Sequence, residues 1–167
     1  MQNALEIIDN VLSQHAAITS QVTDTGTRMN DMDAIFSVQK ESYKVAWSSS
    51  SAADLLEKAN QLGEKMHELE EGLSKHFTYE EKVFPLVMGE ILLKDILDTH
   101  EKIKAHISNA KTQISSLKGM EKDVLFEKRT VLLESVNELR EEIINHAHAE
   151  ENLLNLLKKV FTEEAAA

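Results

Sequence analysis

Residues 55–86 read LLEKANQLGEKMHELEEGLSKHFTYEEKVFPL, and their spacing decides the fold. Leu55, Ala59, Leu62, Met66, Leu69, Leu73, His76, Glu80 and Val83 recur at steps of four and three, the repeat of one face of an α-helix. The spacing predicts a helix from about Ala53 to Phe84. Pro85 is the only proline in the chain. It ends the helix because it has no N–H to donate and pushes the preceding residue out of helical conformation.

The same period extends in both directions. Upstream, Leu5, Ile8, Val11, Leu12, Ile18, Val22, Met29, Met32, Ile35 and Phe36 keep helical steps. The Thr23–Thr27 segment, with Gly26 in it, is locally poor helix sequence. The phase nevertheless carries through it, which predicts one long helix to about residue 46, ended by Trp47 and the Ser48–Ser51 run. Downstream, a third helix is expected from about Glu90 to Leu117, with Leu93, Ile96, His100, Ile103, Ile107, Ala110 and Ile114 on one face. Gly119 is suited to a left-handed cap after it. A fourth helix is expected from about Lys122 to Phe161, with a stripe through Leu125, Leu132, Val136, Leu139, Ile143, His146, Glu150, Leu153, Leu157 and Val160. Four long amphipathic segments with three short connections predict an all-α, up-down-up-down four-helix bundle, with residues 1–167 forming a single domain.

Composition narrows the function. Eighteen basic and 29 acidic residues give a formal charge of −11, which repels phosphate backbones and argues against nucleic-acid binding. The chain has no cysteine. That excludes disulfides, thiolate zinc sites, iron–sulfur clusters and thiol nucleophiles. The N-terminal MQNALEIIDNVLSQH has no basic segment followed by an apolar one, and no apolar run approaches the roughly 20 residues of a membrane helix. A soluble, cytoplasmic protein that does not bind membranes is expected.

The informative residues are ionisable groups on the faces that should be buried: His15, His76, Glu80, His100, His146 and Glu150. The second and fourth helices repeat one pair, His76-x-x-x-Glu80 and His146-x-x-x-Glu150, whose spacing stacks both side chains on one face a turn apart. In an antiparallel bundle with about 1.5 Å rise per residue, each helix places a histidine roughly 12–22 Å from one common end. A lone histidine on an apolar stripe is usually a hydrogen-bonded core residue, and a lone His-x-x-x-Glu is often a surface pair. Six such groups sharing both a face and a level would be costly to bury without a cation. Neutral imidazole suits iron, zinc, copper and nickel, and two carboxylates can bridge two ions; zinc or manganese could also fill these ligands. His67, His106 and His148 fall off the stripes and read as solvated. Glu64-x-x-His67 has the form of a ferritin-like element but has no second copy and is out of phase with the core. Glu81 and Glu151 read as solvated or as supporting the ligands, and Tyr79 as a supporting or boundary residue.

The stretches His76-Phe-Thr-Tyr-Glu80-Glu-Lys-Val-Phe-Pro85-Leu and His146-Ala-His-Ala-Glu150-Glu-Asn-Leu-Leu, with isolated His15 and Thr99-His100-Glu101, resemble the hemerythrin-like (HHE cation-binding) family. The likeness spans nearly the whole chain. It implies an oxo- or hydroxo-bridged di-iron centre, and a function in binding dioxygen, sensing oxygen or redox state, reacting with nitric oxide, or iron homeostasis. The sequence departs from the oxygen carriers at Lys104, where they have a second histidine one turn after the third-helix ligand, and in a longer first connection. The substitution leaves one metal with fewer protein ligands and a position open to water, dioxygen or another small ligand. The leading expectation is a di-iron protein that binds or senses a small diatomic ligand. The alternatives are a di-iron enzyme acting on peroxide or nitric oxide, and a structural bundle with a vestigial site.

Overall fold

Each apolar stripe can be buried only against another stripe, and the four helices do this for one another. The computed structural model describes the backbone of residues 2–41, 49–120 and 122–166, and side chains within 3–35, 53–120, 124–125 and 127–163. Helix α1 spans Gln2–Glu41, α2 Ser49–Val83, α3 Glu90–Ser116 and α4 Lys122–Ala166. A 3₁₀ turn, Phe84–Leu86, joins α2 to α3. Helix α1 packs on α2 and α4, and α3 packs on the same two. This is an all-α four-helix bundle, and the described residues contain no strand.

The weak segment of α1 remains helical because Val22 and Met29, which flank it, are buried in the core, and its threonine hydroxyls find partners within the helix. Thr23, Thr25 and Thr27 each donate their hydroxyl to the carbonyl four residues back, at 2.9, 2.9 and 3.1 Å. Gly26 lies under the Arg140 side chain of α4: a Cβ there would sit 2.4 Å from the guanidinium carbon, and the arginine would have to swing aside. Gly119 takes φ +76° after α3, the left-handed conformation glycine adopts without penalty.

Some boundaries differ from the sequence reading. The helix α2 begins at Ser49, so Ser49–Ser51 belong to it and not to the preceding loop. Serine prefers caps, but its cost inside a helix is small enough for a long helix to carry. The predicted end of α1 near residues 46–47 lies outside the described residues, as does the Phe36 side chain. At the far end of α4 the stripe drifts. Val160 is 43 % exposed, while Leu154 is fully buried where Leu153 was expected. Seven residues of a straight helix fall about 20° short of two full turns, so extrapolating a strict four-three repeat gradually loses the inward face.

The core is divided in two. A large apolar cluster runs from Ile18, Leu73, Ile103 and Ile143 towards the α3–α4 turn. A smaller one, with Ile8, Val11, Phe84, Ile96 and Leu154, closes the other end. Every helix passes between the two clusters at one of the ionisable residues singled out above.

Candidate metal centre

The layer between the clusters is polar and buried. His15, His76, Glu80, His100 and Glu150 are all buried, Glu80 and His100 completely. The His146 side chain retains 8 % exposure. All six predicted site residues therefore meet at one level. Their reactive atoms fall into two groups, each with every ligand atom within 4.8 Å of the others: His15, His76, Glu80 and Glu150, and Glu80, His100, His146 and Glu150. The two carboxylates are common to both groups.

The arrangement has an approximate twofold character. The hairpin α1–α2 brings His15 and His76 edge to face at 4.9 Å, and α3–α4 brings His100 and His146 together at 5.0 Å. Between imidazole Nε2 atoms and carboxylate oxygens the separations are 2.9–3.8 Å. Yet both oxygens of Glu80 and Glu150, and Nε2 of His15, His100 and His146, have no hydrogen-bond partner. They are close enough to attract but off the angles a hydrogen bond needs. Buried polar atoms left in this state are expensive. A positive ion between them satisfies all of them at once, so the donor set fits a metal.

The outward side of the rings fits as well. His100 Nδ1–H donates to Glu81 Oε1 at 3.4 Å, and His76 Nδ1–H donates to Gln14 Oε1 at 2.9 Å. A proton held on Nδ1 leaves the Nε2 lone pair facing the centre. Glu151 Oε1 approaches His15 Nδ1 at 3.4 Å. The two glutamates that follow the candidate ligands thus cross the bundle: Glu81 of α2 meets His100 of α3, and Glu151 of α4 meets His15 of α1.

Without a cation, protons take its place. Burial alone would lower the pKa of His15, but contacts with Glu150 and Glu80 push it up to about 9. His100 is raised to about 9 against the same burial by the same two carboxylates. Burial would raise Glu80, but His100, His15 and His76 together hold it far below the usual carboxylate range. Burial lowers His146.

Lys104 is not turned towards the centre. Its Nζ lies 2.8 Å from Glu101 and 3.4 Å from Glu81, and 5.9 Å above the Phe77 ring. Phe77 stacks on His100 at 3.8 Å with the rings 13° apart. Phe77 and Gln14 were missed in the sequence. Each is a direct chain neighbour of a candidate ligand, and nothing in its type marks it. Tyr79 lies beside the site, and its hydroxyl accepts a hydrogen bond from Asn10 at 3.3 Å. His67 and His106 are 61 % and 50 % exposed, each beside a glutamate carboxylate, and His148 is exposed.

The hemerythrin HHE cation binding domain matches residues 6–157 of the chain. The chain belongs to the hemerythrin HHE family. Nothing among curated proteins or solved structures matches it. The matched span takes in all six residues of the buried His/Glu cluster. The bundle, the polar layer and the family agree on a buried His/Glu metal site. No helix in the described residues is long and apolar enough to cross a membrane.

Proposed function

We propose that this hemerythrin-family chain holds two irons through His15, His76, Glu80, His100, His146 and Glu150, and binds or senses a small uncharged diatomic ligand such as dioxygen. The observation that carries the reading is the sharing of Glu80 and Glu150 by two otherwise separate histidine pairs. Shared carboxylates are what two neighbouring cations need, since each anion offsets charge on both. Iron is favoured over zinc or manganese by the family. When bound, a pair of irons supplies electron exchange with a small ligand.

The protein's own part is positional. Glu81 and Gln14 fix the ring tautomers of His100 and His76, the two apolar clusters exclude bulk water, and Phe77 seals the face of His100. Two histidines and two carboxylates per ion leave coordination positions unfilled by protein, because iron takes up to six ligands in mixed nitrogen–oxygen sites. Lys104, paired with Glu81 and Glu101, does not fill one.

Metal analysis after anaerobic loading with ferrous iron tests the reading, followed by titration with dioxygen under a visible spectrum. Two irons per chain and a saturable spectral change are expected. Fewer than one iron per chain overturns the proposal.

A further inference from the structure

The two halves of the centre are not equally closed. Between α3 and α4 lies a pocket of about 200 Å³ whose wall includes His146 and Glu150. Between α1 and α2 lies a second pocket, of about 300 Å³, that reaches His76 but neither carboxylate. There Gln14 occupies the outer nitrogen of His76, and Gln21 and Lys75 make the lining polar. On the α3–α4 side, Thr99 stands in the place equivalent to Gln14, just before the inward-facing histidine of α3, His100. Its hydroxyl is turned back to the Asp95 carbonyl at 2.9 Å, leaving the flank of His146 open.

We infer that the α3–α4 pocket is the entry and binding site for a small uncharged ligand, which reaches the ion held by His100 and His146 and not the one held by His15 and His76. This rests on the di-metal reading above and adds to it a side, a route and a ligand class. Size sets one limit: about 200 Å³ is several times the roughly 30 Å³ of a water but below the roughly 300–1,000 Å³ of pockets for drug-sized molecules. Leu92, Ile96, Ala149 and Leu153 supply an apolar wall. Asp95 lines the same pocket, and the chain carries a formal charge of −11, so anions are repelled on approach. Phe77, flat against His100, closes the approach from within the large cluster.

The test uses full-length, iron-loaded protein with nitric oxide as the probe, after metal content has been matched. Ala149→Phe fills the α3–α4 pocket from an exposed position, and Ala17→Phe fills the opposite pocket as a control. Ala149→Phe should slow nitric oxide association about tenfold or more, and Ala17→Phe should leave it unchanged. Leu92→Trp, two turns before His100, should give the same slowing if Ala149→Phe retains less iron. Crystals under xenon pressure supply a readout independent of the metal, with xenon expected between α3 and α4. An unchanged rate in both α3–α4 variants, slowing by Ala17→Phe instead, or xenon only between α1 and α2 overturns the inference and leaves the di-iron reading standing. Two irons per chain with no nitric oxide uptake by the unmodified protein overturns the diatomic reading, and this inference with it.

Discussion

Glu81 holds His100 from behind: its Oε1 lies 3.4 Å from His100 Nδ1 and, with the same oxygen, 3.4 Å from Lys104 Nζ. The carboxylate is thus shared between an imidazole that faces the centre and an ammonium that faces solvent. Replacing it with the neutral amide removes the anion that fixes the ring and raises its basicity. Glu81→Gln is expected to weaken iron binding by about 10- to 100-fold while the far-ultraviolet circular dichroism stays helical. Competition with a chelator of known affinity measures the change. Glu151→Gln should act in the same direction through His15.

Glu80 is the carboxylate with the most at stake, since it is completely buried and belongs to both ligand groups. Glu80→Gln keeps its shape but removes the charge that both ligand groups share. Iron content after reconstitution should fall from two per chain to one or fewer, read by elemental analysis. Two irons per chain in this variant would mean that Glu150 alone suffices as the bridge.

The metal-free protein should lose stability as the solution becomes alkaline. His15 and His100 are raised from 6.5 to about 9 in the folded state. A raised folded pKa contributes stability that is fully present below the unfolded value and disappears as pH climbs through the folded one. Between pH 6.5 and 9 the contribution at stake is a few kcal/mol in total, a fall in Tm of about 5–10 °C for a chain of this size. Metal displaces those protons, so iron loading should flatten the Tm profile across the same window and release protons on binding. Calorimetry with and without chelator checks both statements.

Far from the centre, Leu139 lies fully buried in the large cluster. Leu139→Ala should cost about 2–5 kcal/mol in denaturant unfolding and leave iron content unchanged. Loss of iron in this variant at native pH would show that the centre depends on packing well beyond its own layer.

The six central residues were legible because burial and charge conflict. A four-three repeat that includes His76 and Glu80 states which face is inward, and the same repeat states that these two are on it. Gln14 and Glu151 were harder to read for a geometric reason. Each directly follows or precedes a residue on the stripe, about 100° around the helix, where sequence alone cannot separate a solvated side chain from one that reaches a neighbouring ring. Phe77 was hidden in the same way: it follows His76, yet its ring is buried against a histidine on another helix. Val160 failed in the opposite direction, since a repeat that holds near Leu139 has rotated out of phase by the end of α4.

The polar layer lies between two apolar clusters, and each helix contributes to it at only one level. Its geometry therefore depends on the register of all four helices at once. A slip of one helix by a single turn, about 5.4 Å, would leave the apolar surface largely covered, yet it would carry a histidine out of the layer. Hydrophobic packing alone tolerates that error, and the centre does not. On the proposed reading, metal occupancy would serve as a proofreader of the tertiary fold, separating the correctly threaded bundle from near-native arrangements that helix content or compactness would score as identical.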